Sequence, residues 1–111
     1  MIEEEDLLRR IKSLVAARQY RIKIHAVRHM IEEGFTESNV LEASEGKCKL
    51  LENYHHEKRC LIIGHFFSTK TARSPLHIVC DYSVEGLIDI ITVYIPQRPW
   101  WITPTKRGRR Q

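Results

Sequence analysis

The chain has 111 residues, 42% of them hydrophobic and 29% charged, which excludes a wholly disordered protein and permits a core without disulfides. The longest apolar run, "IDIITVYI", is broken by Asp89 and is too short to cross a bilayer. The first residues, "MIEEEDLLRR", are acidic where a signal peptide is basic, so we expect a cytoplasmic protein with no membrane association.

An N-terminal amphipathic helix is predicted within residues 1–19, most clearly from Glu3 to Arg18. Apolar residues recur there at three- and four-residue spacing and form one stripe: Leu7, Leu8, Ile11, Leu14 and Val15. Acidic residues crowd the first turn, where the helix dipole favours negative charge.

Residues 20–101 are predicted to form one α+β domain, which begins with a short strand, Tyr20 to Ile24. "HAVRHMIEE" then predicts a helix that ends at Gly34. A further short helix is expected after Thr36, a favourable N-cap without the Glu or Gln of a full capping box, and it should end at Gly46.

The apolar period changes to two from Lys47 onward, which predicts two β-hairpins. "KCKLLENY" and "RCLIIGHFF" flank the turn "HHEK", and "SPLHIVCDY" and "LIDIITVYI" flank the turn "SVEG". The expected fold is α+β, with the helices on one face of a four-stranded antiparallel sheet extended by the short first strand. The opposite face of the sheet is left open.

The second hairpin can be divided into two faces if "SVEG" is a tight turn that pairs Cys80 with Asp89 and Ile78 with Ile91. The face expected to carry the helices is apolar: Leu76, Ile78, Cys80, Ile91, Val93 and Ile95. The face expected to be open is mixed: His77, Val79, Asp81, Ile88, Ile90, Thr92 and Tyr94. A slip of one residue would exchange the faces.

Three cysteines, Cys48, Cys60 and Cys80, are odd in number and show no C-x-x-C spacing. We expect them to be buried, reduced thiols that pack as small hydrophobic residues.

The basic C-terminal tail, residues 102–111, carries the net charge of +4. Without its four bases, 18 − 4 leaves 14 basic residues against 14 acidic ones. Pro96, Pro99 and Pro104 are expected to end regular structure, and the tail either attracts phosphates or serves as a solubilising end. Trp100 and Trp101 are expected to cover a sheet edge or the helices, or to contact a partner.

His77 has two interpretations. It is either half-buried between sheet and tail, donating to a carbonyl or to Thr92, or it belongs to a polar site on the open face. The second interpretation draws on its neighbours, since sheet extension places His65 roughly level with His77 and Arg59 farther along the same face.

Four stretches, "HAVRHM", "RCLIIG", "PLHIVCDY" and "IITVYIP", occur in this order and are followed by two tryptophans. Together they resemble a bacterial and cyanobacterial domain family of unassigned function with the pattern H-A-x-x-R-M, L-x-x-G, P-L-H-V-V and I-T-V-Y-x-P. That family is similar to the RelE and MqsR class of small toxins, often encoded beside an antitoxin-like protein with a YgiT-type zinc finger. The resemblance covers about residues 20–101 and implies a RelE/MqsR-like fold, RNA cleavage and a neutralising partner.

Carried over by position, the resemblance points to His25, His77 and Tyr94 as site residues. His29 stands where the family has an arginine, and Glu33 stands where it has a second one, so Arg28 is the candidate replacement on this helix.

Metal-free RNA cleavage needs a base for the 2′-hydroxyl, an acid for the leaving 5′-oxygen and a cation for the phosphate. His25 and His77 are the expected acid–base pair, Arg59 or Arg28 the phosphate ligand, and Tyr94 the group that orients phosphate or stacks on a base. His65, Lys106 and Arg107 are further candidates for RNA binding. No cofactor is required by this chemistry.

Alternatives remain open from the sequence. His25 and His29 share a helical face at metal-ligand spacing, but a zinc site needs two more ligands and the glutamate of H-E-x-x-H is absent. A non-catalytic module could bind RNA or an antitoxin through the same face. A degenerate toxin would suit the missing arginines.

Overall fold

A computed structural model describes residues 4–98 and 100–108. Its helices are α1 (Glu4–Ala16), α2 (Ile24–Glu33) and α3 (Glu37–Glu45). Its strands are β1 (Tyr20–Ile22), β2 (Lys49–Tyr54), β3 (Arg59–Phe67), β4 (Arg73–Asp81), β5 (Ile88–Tyr94), β6 (Trp101–Thr103) and β7 (Lys106–Arg107). Within the described ranges, none of the helices has the length and apolar character needed to span a bilayer.

The helix boundaries follow from local chemistry. Gly34 ends α2 in the left-handed conformation, with φ 78°, as predicted. Thr36 begins α3, and the missing capping-box residue is supplied by Asn39: the Asn39 N–H donates to Thr36 Oγ1 at 3.3 Å, and the Thr36 N–H donates to Asn39 Oδ1 at 2.9 Å. Both helices are therefore held at the positions that the sequence predicts.

The five-stranded sheet has the order β1-β5-β4-β3-β2, and both predicted hairpins are confirmed. The expectation of an antiparallel sheet throughout is wrong, because β1 pairs with β5 in parallel and the sheet is mixed. The parallel pairing is anchored at both ends, where the Lys23 N–H donates to the Ile90 carbonyl and the Ile88 N–H donates to the Gln19 carbonyl.

A β-bulge corrects the register expected for the second hairpin. Cys80 pairs with Ile90 and Ile78 with Val93, so β5 carries one extra residue, Ile91, between these pairs. Because of the bulge, the side chains in the first half of β5 point to the opposite face from the one expected. Two residues expected on the open face are therefore buried against the helices, Ile88 and Ile90. Ile91, expected in the core, is only half-buried.

The helices cover one face of the sheet, and the core lies between them. Its helix side includes Leu7, Ile11, Val15, Ala26, Val40 and Ala43, and its sheet side includes Cys60, Ile62, Leu76, Ile78, Ile88 and Val93. The backbones of α3 and β3 lie close together at Ala43 and Gly64, where a Cβ atom added to Gly64 would lie 2.1 Å from the Ala43 carbonyl oxygen. Cys60 and Cys80, opposite each other in β3 and β4, are buried free thiols as predicted, whereas Cys48 is half-buried.

The other face of the sheet is partly covered, contrary to the expectation of an open face and an irregular C-terminus. Strands β6 and β7 pair as a short antiparallel hairpin, here called the C-terminal hairpin (residues 101–107). Trp101, 3% exposed, packs against His77 on the sheet face and not on a sheet edge or the helices. Arg109 and Arg110 lie outside the described residues.

One ion pair fixes this hairpin to the sheet. Arg107 donates from Nε and Nη2 to the two carboxylate oxygens of Glu52 in β2, at 2.6 and 2.7 Å. Its guanidinium also lies 4.7 Å from the ring centroid of Trp101. The bidentate geometry and the stacking together specify where the hairpin rests.

Candidate functional site

His77 is fully buried beneath the C-terminal hairpin, with 0% of its surface exposed. Its Nε2–H donates to the Pro104 carbonyl at 2.6 Å, and its Nδ1 accepts from the Tyr94 hydroxyl at 3.2 Å. Because a carbonyl can only accept, the contact with Pro104 requires a proton on Nε2, and in the neutral imidazole Nδ1 is then the acceptor. Burial lowers the pKa of His77, which favours the same neutral form. The expectation that the His77 imidazole faces solvent on the open face is therefore wrong. Its donation to a carbonyl agrees with the other interpretation, a histidine between the sheet and the tail.

The other residues expected to act with His77 are dispersed, except Tyr94. His25 is exposed in the first turn of α2, and no hydrogen bond or ring contact joins it to His77 within the described residues. Arg59 donates to Asp81 at 3.1 Å, four residues along β4 from His77. That separation is about 13 Å along a strand. The structure thus brings together His77 and Tyr94, but it leaves His25 and Arg59 apart from them.

The residues expected to bind phosphate also lie in different places. Arg28 is exposed on α2, and Lys106 is exposed in β7. Arg107 is held by Glu52, and this carboxylate raises the pKa of Arg107 while the guanidinium lowers the pKa of Glu52. His65 shares the face of His77 but pairs with Pro75, so it is offset along the strands and not level with His77.

His65 lies in a groove of about 700 Å³ beside the turn of the C-terminal hairpin. We call it the basic groove, because five of its lining residues are basic: Lys12, Lys47, Lys49, His65 and Arg73. No acidic residue lines it among the described residues. Burial and the charge of Arg73 lower the pKa of His65, which favours its neutral form. The positive charge of the groove therefore comes from its three lysines and one arginine.

A second depression, here called the hairpin cleft, lies beside Trp100 and Trp101, where the C-terminal hairpin begins, and has a volume of about 360 Å³. Its lining combines aromatic, acidic and neutral polar side chains: His29, Glu32, Glu33, Thr92, Tyr94, Gln97, Trp100 and Trp101. Burial raises the pKa of Tyr94, an effect that the nearby indole N–H of Trp101 opposes. The cleft thus contains Tyr94 from the predicted site, together with residues not predicted.

The unpredicted centre of the hairpin cleft is an imidazole held by a carboxylate. His29 Nδ1–H donates to Glu33 Oε2 at 2.8 Å, while the second oxygen of Glu33 accepts from the Ile95 N–H at 2.9 Å. The His29 side chain is 43% exposed, and its Nε2 has no hydrogen-bond partner within the ranges described. Among the described residues, His25 and His29 do not form a group of three or more side chains that could hold a metal ion. The i, i+4 spacing of His29 and Glu33 on α2 was the available sequence signal.

The fold and these two surfaces define an α+β protein whose mixed sheet carries helices on one face and a short covering hairpin on the other. Residues 22–95 match the family described as "Domain of unknown function (DUF4258)", and the chain belongs to that family. The match begins at the last residue of β1 and ends just after β5, so α1 and the C-terminal hairpin lie outside it. Neither a curated protein nor a solved structure matches the chain.

Proposed function

We propose that this protein binds single-stranded RNA through the basic groove. The observation that carries the proposal is the concentration of Lys12, Lys47, Lys49 and Arg73 around one depression without an acidic neighbour among the described lining residues. Phosphate neutralisation supplies most of the affinity of such surfaces. RNA is the polyanion that a toxin of the RelE and MqsR class, expected from the sequence motifs, would bind.

The cations of the groove retain charge that a ligand can use. Lys12 Nζ donates to the Gly46 carbonyl at 2.8 Å, a neutral acceptor that fixes the ammonium without cancelling its charge. Arg73 lies 5.8 Å from the ring centroid of Phe67, a contact that also leaves its charge uncompensated. By contrast, Arg107 and Arg59 are paired with carboxylates. The groove is therefore a stronger phosphate site than either of those arginines.

Fluorescence anisotropy of a labelled oligoribonucleotide of about eight nucleotides tests this proposal. Four phosphate contacts predict that log Kd rises with log salt with a slope of about 3, measured between about 50 and 200 mM. Lys47→Ala combined with Lys49→Ala should weaken binding and reduce that slope by about 1.4.

The matched control is Lys70→Ala, which removes an exposed lysine of the β3–β4 loop outside the groove lining. It should leave both affinity and slope unchanged. Equal effects of the groove and control variants, or no binding by the wild type, would contradict the proposal. DNA of the same sequence, run in parallel, measures the contribution of the 2′-hydroxyl.

Metal-free endoribonuclease activity is a second candidate function, favoured by the His29–Glu33 pair. The carboxylate orients the imidazole and leaves Nε2 free of a partner among the described residues, so that Nε2 can accept a proton as general base catalysis requires. His77 is less suited to this role, since both of its ring nitrogens are already bonded. Cleavage would proceed by attack of the 2′-oxygen on the adjacent phosphorus and departure of the 5′-oxygen, with a proton removed from the first and delivered to the second.

Incubation of labelled RNA with EDTA separates binding from cleavage. If the protein cleaves, His29→Gln should lower the rate by about 10² or more, whereas His25→Gln should not. Intact RNA in the presence of bound wild-type protein would reject the cleavage function and leave a binding module.

The toxin-type role also predicts a neutralising antitoxin-like partner, and the sequence resemblance points to one with a YgiT-type zinc finger. Coexpression with the product of the adjacent reading frame provides the test. A stable complex that relieves growth arrest would support the pairing, and growth that is unaffected by the protein alone would contradict a toxin role.

A further inference from the structure

We propose that the hairpin cleft is a nucleobase pocket that takes one base of the RNA held by the basic groove. This inference rests on the proposed RNA binding and names the subsite that reads the base. Its volume of about 360 Å³ lies near the lower end for ligand pockets, which suits a single nucleoside.

The aromatic residues of the cleft supply the surface for stacking. Trp100 is 37% exposed, so part of its ring is open to a ligand, while Trp101 is fixed against His77 and forms a rigid wall. Tyr94, at the end of β5, also lines the cleft and is hydrogen-bonded to His77. Stacking of a base on an aromatic side chain stabilises binding and needs no particular base identity.

The polar groups of the cleft match the edge of a base. Glu32 and Glu33 are carboxylates, which accept hydrogen bonds from exocyclic amino groups. Glu33 is already engaged by His29 and Ile95, so Glu32 is the acceptor still available. The amide of Gln97 can both donate and accept at a base edge. Adenine and cytosine, which carry amino groups, should therefore bind better than uracil.

The geometry of β6 connects the two surfaces. Trp101 lines the hairpin cleft and Thr103 lines the basic groove, and they are separated by one residue of the same strand. Two residues of a strand span about 7 Å. An RNA chain that crosses β6 can therefore place a base in the cleft and its neighbouring phosphates in the groove.

Nucleosides provide the decisive probe, because they have a base but no phosphate for the groove. The chain has two tryptophans, and both line the cleft, so intrinsic fluorescence reports on this site directly. Adenosine and cytidine should quench the fluorescence saturably, with Kd values at least about fivefold below that of uridine. That ratio corresponds to one hydrogen bond of about 1 kcal/mol.

Variants of two residues test the stacking and the base selection. Trp100→Leu should abolish nucleoside binding measured by calorimetry, and Trp100→Phe should retain it. Glu32→Gln should reduce the preference for adenosine over uridine. Ile102→Ala, at an exposed apolar position beside the cleft, is the control and should bind nucleosides normally. Circular dichroism establishes that each variant is folded.

The outcomes separate this inference from the proposed RNA binding. If RNA binds through the groove but nucleosides cause no saturable quenching, or if Trp100→Leu binds them like the wild type, the pocket is overturned and the groove stands. If nucleosides bind with the predicted preference but RNA does not, the pocket stands and the RNA-binding function fails. Equal binding of all nucleosides would overturn the base selection assigned to Glu32.

Discussion

Gly64 is the position at which one added methyl group should most disturb the fold. A Cβ atom built on Gly64 would lie 2.1 Å from the carbonyl oxygen of Ala43 and 2.7 Å from its carbonyl carbon. Real Cβ atoms essentially never approach closer than 3.0 Å, so α3 would have to move from the sheet by at least 3.0 − 2.1 = 0.9 Å. The obstacle is backbone and cannot rotate away. We expect Gly64→Ala to lower the free energy of unfolding by about 3 kcal/mol, the upper part of the range for overpacking.

Urea denaturation followed by circular dichroism measures this loss, and a thermal melt should show a decrease in Tm of about 12 °C or more. Gly86→Ala is the matched control, since Gly86 has φ 76° but no atom within 4 Å of an added Cβ. Its cost should be about 1 kcal/mol, from the left-handed conformation alone. If Gly64→Ala is as stable as Gly86→Ala, the close packing of α3 on β3 is wrong.

Two further predictions concern the covered face. Burial lowers the pKa of His77 in the folded protein. As the pH falls below about 6.5, the ordinary pKa of histidine, the imidazole therefore takes up a proton in the unfolded chain before it does so in the folded one, and the free energy of unfolding decreases. His77→Leu should flatten the dependence of unfolding free energy on pH between about 7 and 5, whereas His55→Leu, at an exposed turn, should keep the wild-type slope. Arg107→Met should release the hairpin and shift the tryptophan emission to longer wavelength as Trp101 becomes hydrated; an unchanged spectrum would show that the pair with Glu52 does not hold it.

Sequence periodicity predicted α1–α3 and both hairpins because each has a strong local signal. The parallel pairing of β1 was not predicted, since three residues do not indicate which strand they join. The bulge at Ile91 was also invisible, because Ile90 and Ile91 are both apolar and either could face the core. The C-terminal hairpin depends on contacts such as that between Arg107 and Glu52, 55 residues apart, which no local pattern reveals.

In the candidate site, too, features with a local sequence signal could be predicted, whereas features that depend on contacts between distant residues could not. Alternation placed His77 correctly on the second face of the sheet, but its cover comes from Pro104, 27 residues later. The His29–Glu33 pair could have been found from its helical spacing. The basic groove was not predictable as a unit, since Lys12, Lys49 and Arg73 come from one helix and two strands that only the fold brings together.

The parallel pairing of β1 with β5 has a consequence for how the chain is made. On the ribosome, β1 emerges early, but its partner follows 68 residues later, as the pairing of Arg21 with Asp89 shows. The apolar face of α2, which packs against β5, must therefore wait for nearly the whole chain before it can be buried. We expect truncated nascent chains that end before β5 to be sensitive to protease and to engage chaperones, and release from the ribosome to be followed by rapid, cooperative completion of the sheet.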